Sequence, residues 1–318
     1  MKSNRLSLIV LLCATLFMTL FLAGCGKEDA TKNGTTKTVT YEGQNYTVPA
    51  NPQRIAVLSN SVLYLLDATG GTAIARVNTN DKLPEKLEAL PALGQTANIN
   101  MESLLGLKPD LVLGLDSQHS KYKDQLNSNH IPYILINYDS VNDNIPLMTL
   151  LGDITNHSDQ TKQQIETYTK KVDTVKAAIK TINPAKVAVL RATGKGVTAE
   201  TNLAITAGMV KDLGMNNVVL THLSDTTKDK TVPYSLETLT QDNPDIIFIV
   251  TMGKEEDITK AMEKDMTSNP AWNHLKAVQN NKVIYLPSKL FLLNPGLQTP
   301  EAMARLVQDA YGITVDLK

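Results

Sequence analysis

The sequence predicts an α/β fold of two lobes, each with a central, mostly parallel sheet flanked by helices, joined by one long helix. One observation behind this is a repeat, because the segment from Asn100 to Leu115 returns 135 positions later, from Ser235 to Val250. Each copy has a capping residue, a first-turn glutamate, a Pro-Asp pair and an apolar run. Such a run is typical of a strand buried on both faces. The same helix–turn–strand unit is therefore predicted in each lobe.

Two further features support two lobes. The segment P-Q-R-I-A-V-L at 52–58 is matched 132 positions later by P-A-K-V-A-V-L at 184–190. Between the repeats, apolar residues recur every three or four positions over 158–182, without glycine or proline. This period predicts one amphipathic helix, roughly 36 Å long. Because the helix separates the repeated halves, it is the predicted connector between the lobes.

The chain divides into five predicted segments. They are a signal peptide at 1–24, a lipid-anchored tether and small hairpin at 25–51, an N-terminal α/β lobe at 52–157, the connecting helix at 158–182 and a C-terminal α/β lobe at 183–318. The hairpin is expected to turn around Gly43.

The N-terminus has the pattern of a secretory signal, since Lys2 and Arg5 precede an apolar run over 6–23. The run ends in L-A-G-C at 22–25, which resembles the lipobox of bacterial lipoproteins, in which the cysteine is acylated. The alternative is an uncleaved transmembrane anchor. The lipobox predicts an extracytoplasmic protein that is anchored to the cell membrane by lipid on Cys25.

Strands and helices alternate in each predicted lobe, which indicates a parallel sheet with helices on both faces. Besides the two repeated units, the N-terminal lobe is predicted to contain strands at 55–58, 74–75 and 133–136 and helices at 61–68 and 121–127. The C-terminal lobe is predicted to contain strands at 187–190 and 283–286 and helices at 204–213, 258–266 and 301–311.

The composition excludes several classes of function. The chain is 42% hydrophobic and 20% charged, with a net charge of −1, so it has no basic field for nucleic acid. Both cysteines, Cys13 and Cys25, lie near the N-terminus, so the folded part is predicted to lack a disulfide and a thiolate metal site. The five histidines never occur at i, i+4 spacing, so no metal site is predicted.

Taken together, the motifs resemble the solute-binding lipoproteins of ABC importers for iron complexes, haem and vitamin B12. The resemblance covers about 52–311 and is carried by N-P-Q-R-I-A-V-L at 51–58, L-G-Q-T-A-N-I-N-M-E-S-L-L-G-L-K-P-D-L-V-L-G at 93–114, Y-D-S at 138–140, the long helix, L-E-T-L-T-Q-D-N-P-D-I-I-F-I at 236–249 and W-N-H-L-K-A-V-Q-N-N-K-V-I-Y-L at 272–286. It implies a monomeric receptor without catalytic residues or a cofactor of its own, and an ABC permease dimer as partner.

The resemblance assigns a docking role to two glutamates. In this family one glutamate per lobe pairs with arginines of the permease, and Glu102 and Glu237 match those motif positions. Two exposed carboxylates on rigid elements would reach a dimeric permease together only in one arrangement of the lobes. The alternative is that each carboxylate only complements its helix dipole.

The ligand is expected in the cleft between the lobes, at the carboxyl ends of the strands. The predicted ligand contacts near strand ends are Asn60, Gln95, Asn98, His119, Tyr138, Arg191, Met252 and Phe291. Arg191 is the strongest, because an arginine directly after an apolar strand and before T-G-K-G at 193–196 could clamp a carboxylate, catecholate or propionate. The alternative is a surface arginine at the start of a loop.

Within the family the chain looks most like the haem-receiving lipoproteins of Gram-positive iron uptake. These hold the haem iron with a methionine before the Glu102-like helix and a histidine after the strand that corresponds to 246–250. Here the first position reads Q-T-A-N at 95–98, and Met252 stands at the second. Side chains that could replace the missing ligands are Met101, His119 and Tyr138. Because the expected pair is absent, a ferric siderophore is preferred over haem or cobalamin.

Three functions other than import would each need features that can be looked for in the sequence. A manganese or zinc receptor would need three histidines and a carboxylate at strand ends, and an enzyme would need a nucleophile elbow, a histidine–carboxylate pair or a nucleotide motif. The sequence shows none of these patterns. A surface adhesion or sensor lipoprotein that retains the fold remains the alternative from another class, and a neighbouring permease gene would separate the two.

Overall fold

The computed structural model describes residues 35–79, 82–224 and 227–318. Residues 36–318 form one compact unit. The predicted signal peptide, the Cys25 lipidation site and residues 25–34 of the predicted tether lie outside the described residues. Within the described ranges, no helix is both long enough and apolar enough to cross a bilayer.

The N-terminal lobe begins with a hairpin and continues into alternating strands and helices. Its elements are β1 (Thr36–Tyr41), β2 (Gln44–Pro49), β3 (Ile55–Val57), α1 (Asn60–Ala68), β4 (Ala73–Ala75), α2 (Glu85–Glu88), β5 (Gly94–Gln95), β6 (Asn98–Ile99), α3 (Met101–Gly106), β7 (Leu111–Leu115), α4 (Asp116–His119), α5 (Lys123–Ser128), β8 (Tyr133–Ile136) and α6 (Asn144–Thr155). The central sheet is parallel, in the order β4-β3-β7-β8. The hairpin turns at Glu42 and Gly43, which both have positive φ, as expected for a tight turn.

The connector is α7 (Ser158–Ala178), a helix of 21 residues and hence about 32 Å long. It ends four residues before the predicted Ile182, because Ile179 leaves helical geometry with φ −117. Helix α6 was not predicted from the sequence, and it is separated from α7 by Asn156 in the left-handed conformation. Pro146 lies in the first turn of α6, where proline removes no intrahelical hydrogen bond.

The C-terminal lobe repeats the alternation around a larger sheet. Its elements are β9 (Lys186–Thr193), β10 (Gly196–Glu200), α8 (Ile205–Asp212), β11 (Asn216–Asn217), β12 (Thr231–Pro233), α9 (Leu236–Asp242), β13 (Ile246–Met252), α10 (Glu255–Met262), α11 (Lys276–Gln279), β14 (Val283–Leu286), α12 (Ser288–Phe291) and α13 (Thr299–Tyr311). The strand order is β12-β10-β9-β13-β14, with β11 beside β9, and only β10 runs antiparallel to its neighbours. The predicted fold class is confirmed.

The sequence repeat reappears as a repeated contact. In the N-terminal lobe the Asp110 carboxylate accepts the Arg54 amide at 2.9 Å, at the start of β3. In the C-terminal lobe the Asp245 carboxylate accepts the Lys186 amide at 3.0 Å, at the start of β9. The aspartate of each Pro-Asp pair therefore joins the repeated unit to the first strand of its own lobe.

The central strands are buried on both faces, which explains their continuous apolar runs. In β13, Phe248 belongs to a hydrophobic cluster on one side of the sheet, while Ile247 and Ile249 belong to a cluster on the other. All three are 0% exposed. Apolar side chains leave both faces of this strand, so both faces of the sheet have to be covered, as helices do in parallel sheets.

The lobes are joined a second time by a buried polar junction centred on Asn144, at the start of α6. Its side-chain oxygen accepts the Tyr138 hydroxyl at 2.5 Å, and its amide nitrogen lies 2.8 Å from the Tyr168 hydroxyl of α7. The same nitrogen contacts Gly296 O at 3.2 Å and Thr299 Oγ1 at 2.9 Å. One fully buried side chain therefore connects the N-terminal lobe, the connecting helix and the segment before α13.

Candidate ligand site

A cavity of about 340 Å³ lies between the two lobes. One wall is the segment after β8 together with the hairpin tip, and the other is the start of α8 together with the loop before β12. The polar lining residues are Glu42, Asn137, Asp139, Ser140, Asp143, Asn202, Lys228 and Lys230, and the others are Val141, Leu203, Ala204, Ile205 and Gly208. A pocket of this size between lobes suits a small ligand. A larger depression of about 620 Å³ runs along α7, but its described lining belongs to that helix alone.

Charges of both signs line this cavity. Lys230 and Asp139 form an ion pair of 2.7 Å that crosses from one lobe to the other. The Asp143 carboxylate accepts the amides of Asp139 and Ser140 at 2.9 and 2.8 Å, and burial raises its pKa. Asn137 donates to the Glu42 carboxylate at 2.9 Å, which brings the hairpin tip to the cavity wall. Asp143 and Glu42, unlike Asp139, have no cationic partner among the described residues.

Arg191 lies in β9, and its side chain already forms an ion pair with Glu200. Its Nε and Nη2 atoms donate to one carboxylate oxygen of Glu200, at 3.0 and 2.7 Å. The Glu200 side chain is 0% exposed, and burial raises its pKa while Arg191 opposes the rise. Glu200 also accepts the Ala207 amide in the first turn of α8, at 3.4 Å. The predicted clamp is therefore an internal ion pair, and the loop at 193–196 is the tight turn of the β9–β10 hairpin.

Three of the predicted ligand contacts are buried inside the protein. His119 is 0% exposed; its Nδ1 accepts the Leu115 amide and its Nε2 lies 2.8 Å from Thr96 O, so both ring nitrogens are used. Tyr138 is 8% exposed and belongs to the Asn144 junction. Phe291 is 0% exposed and packs in the core of the C-terminal lobe. None of the three presents a free group to a ligand in this structure.

Three other predicted contacts are accessible, since Gln95 and Asn98 are exposed and Met252 is 53% exposed at the carboxyl end of β13. Asn60 is half-buried at the start of α1, and its side-chain oxygen is buried with no hydrogen-bond partner. None of the eight predicted contacts lines the 340 Å³ cavity. The nearest in sequence is Tyr138, which lies between two lining residues.

The two predicted docking glutamates occupy equivalent places. Glu102 is exposed in the first turn of α3, and Glu237 is exposed in the first turn of α9. The Asn100 side chain caps the first helix and the Ser235 side chain caps the second, each by accepting the amide three residues on. Neither glutamate has an ion-pair partner among the described residues.

Helix α9 is also held at both ends by a three-residue cluster. The Asp242 carboxylate, in the last turn, accepts the Tyr234 hydroxyl just before the helix, and it lies 2.8 Å from His222 Nε2. Burial is the main cause of the raised pKa of Tyr234. This cluster fixes the helix that carries Glu237.

The described residues contain no group of three His, Cys, Asp or Glu side chains that could hold a metal ion. Asp139, Asn202 and Lys230 line the cavity and were not among the contacts predicted from the sequence. Asp139 could have been found, because it follows Tyr138 beyond the end of a strand. Asn202 follows an antiparallel strand and Lys230 lies on a loop, so no strand-end pattern marks them.

Comparison with known proteins agrees with this geometry. A family model described as periplasmic binding protein matches residues 55–290. The high-affinity heme uptake system protein IsdE of Staphylococcus aureus is 28% identical over 261 residues, which cover 80% of this chain and 85% of that protein.

Solved structures share the fold. S. aureus SirA complexed with staphyloferrin B has a TM-score of 0.73 at 20% identity, covering 89% of this chain and 100% of SirA. S. aureus IsdE complexed with heme has a TM-score of 0.66 at 24% identity, covering 81% and 98%. At these identities the likeness establishes the two-lobe architecture. Because the family model spans most of the folded chain, this protein belongs to the periplasmic binding protein family.

Proposed function

We propose that this protein is the substrate-binding component of an ABC importer and that it captures an iron complex, with a ferric siderophore as the first candidate. The observation that carries the proposal is the 340 Å³ cavity, whose walls come from both lobes. A ligand there would contact both lobes at once and would favour one arrangement of them. Family membership and the likeness to SirA, which was solved with staphyloferrin B, support the same class of ligand.

Delivery would use the two exposed glutamates. Glu102 and Glu237 present carboxylates on capped helices, one in each lobe, and neither has an ion-pair partner among the described residues. They would dock on arginines of a permease dimer, with one monomer of this protein per permease. The signal peptide and Cys25 would place the protein outside the cytoplasm, anchored to the cell membrane by lipid. The role is capture and delivery, without catalysis.

A binding titration tests the proposal. The detergent-purified full chain should bind at least one of a panel of ferric siderophores with one site per chain, measured by calorimetry. An Asn202→Trp variant, which places a large ring on the cavity wall, should weaken this binding by about tenfold or more, since overpacking costs roughly 1–3 kcal/mol. A Gln279→Trp variant, on the exposed surface of α11, is the matched control. Failure of every iron complex to bind would overturn the proposed function.

Haem is the second candidate. The observations that favour it are the 28% identity to IsdE and the exposed thioether of Met252, which could ligate haem iron. If haem is the ligand, haemin should give a saturable Soret band that shifts or disappears in Met252→Ala. An unchanged band in this variant would remove Met252 as the ligand, and absence of any band would remove haem.

A further inference from the structure

The described arginines of this protein are already engaged, and this bears on the charge of the ligand. Of the five arginines in the sequence, four lie in the described ranges. Arg191 is paired with Glu200, Arg76 lies 3.6 Å from the Glu88 carboxylate, and Arg305 donates to Asp309. Arg54 donates to two backbone carbonyls, at Leu107 and Lys108. Arginine is the side chain best suited to bidentate contacts with carboxylates, and here none of the four lines the cavity.

The cavity wall itself carries more acids than bases. Its ionisable residues are Glu42, Asp139, Asp143, Lys228 and Lys230. The positive charge of Lys230 is balanced by Asp139 at 2.7 Å. The remaining ionisable lining residues are Lys228 and the two acids Glu42 and Asp143. Those two carboxylates are held by neutral donors, the Asn137 amide group and the backbone of 139–140. Their negative charge at the cavity wall is therefore not balanced by an ion-pair partner among the described residues.

The remaining wall is neutral. Asn137, Ser140 and Asn202 offer hydroxyl and amide groups, while Val141 and Leu203 offer apolar surface, and Leu203 is 48% exposed. Such a lining can form hydrogen bonds with amide and hydroxamate groups and can cover methylene chains. This neutral lining cannot balance the charge of a ligand that carries several negative charges. Such a ligand would also be repelled by the carboxylates of the wall, because like charges in a partly enclosed site repel.

Resting on the proposed function, we propose that the cavity selects ferric complexes that are neutral or positively charged, of the trihydroxamate class. Each hydroxamate contributes one negative charge, so three of them balance iron(III). A tris-catecholate complex keeps three negative charges, and haem keeps its two propionates. The carboxylates of Glu42 and Asp143 favour the first kind of complex and oppose the others.

The experiment compares probes of different charge on the same full chain. The iron(III) complexes of desferrioxamine B, which is cationic, and of ferrichrome, which is neutral, should bind about tenfold or more tightly than the trianionic iron(III) complex of enterobactin, as measured by calorimetry. Haemin, which carries two propionates, is included as a further anionic probe. Tightest binding of an anionic complex would overturn the charge selection while leaving the proposed function intact. If no complex binds, the proposed function fails, and the charge selection fails with it.

A variant of Glu42 separates charge from shape. Glu42→Gln removes one negative charge and keeps an oxygen that can accept from Asn137, so the wall should keep its form. The preference for the cationic over the trianionic complex should fall by about threefold or more. Glu85→Gln, an exposed glutamate on α2, is the control and should leave the preference unchanged. An unchanged preference in Glu42→Gln would overturn the role of this carboxylate.

Discussion

Reversal of charge at Glu102 and Glu237 together is expected to reduce uptake by more than about tenfold while ligand binding stays unchanged, because like charges at an interface oppose docking. Both carboxylates are exposed, lack an ion-pair partner among the described residues, and lie outside the cavity. An arginine at either position would face the arginines expected on a permease. Uptake of the radiolabelled iron complex by cells that carry only the Glu102→Arg/Glu237→Arg protein measures the effect.

The matched control uses two other first-turn glutamates. Glu85 begins α2 and Glu255 begins α10, and both are exposed. The Glu85→Arg/Glu255→Arg protein has the same net charge and the same positions relative to helix dipoles, so a general electrostatic effect would reduce its uptake equally. Normal uptake by the Glu102/Glu237 variant, with the protein present at its usual level, would contradict docking through these residues.

Replacement of Asn144 by leucine is expected to lower the free energy of unfolding by about 2–4 kcal/mol, because buried polar groups lose their partner. The Tyr138 hydroxyl would lose its acceptor, and the Tyr168 hydroxyl would lose an amide donor. Leucine has the same branching and the same number of side-chain heavy atoms as asparagine, so most of the change would report hydrogen bonds. Urea unfolding followed by circular dichroism measures the free energy.

The control for this change lies two residues away. Asn142 is exposed, and its side chain has no hydrogen-bond partner among the described residues. Asn142→Leu should therefore change the free energy of unfolding by less than about 0.5 kcal/mol, as surface substitutions usually do. A loss below about 1 kcal/mol in Asn144→Leu would show that the junction hydrogen bonds contribute no more than a single ordinary one.

The fold was predictable because its signals are periodic. The repeated units needed only a cap, a Pro-Asp stop and an apolar run, and the structure places Asp110 and Asp245 in equivalent contacts. The long helix was predictable from its stripe of apolar residues. Its end at Ala178 was not predictable, because the apolar pattern continues to Ile182 although the backbone leaves helical geometry at Ile179.

The candidate site was harder to predict because exposure and pairing depend on distant residues. In the sequence, Arg191 has the position expected of an anion clamp. In the structure its charge is balanced by Glu200, at the end of the next strand. His119 and Tyr138 follow strand ends as ligand contacts do, yet each folds back onto neighbouring structure. Strand-end position identifies the edge of a sheet, and it does not decide which side chains at that edge remain free.

The second crossing between the lobes has a consequence for how the protein comes apart. Leu297, in the segment before α13, packs against the core of the N-terminal lobe. Helix α13 itself packs in the core of the C-terminal lobe. The last helix and the short segment before it therefore contact both cores. Two lobes that look alike in sequence and share a plan would then behave as one cooperative folding unit, and neither half of the gene would encode an autonomous domain.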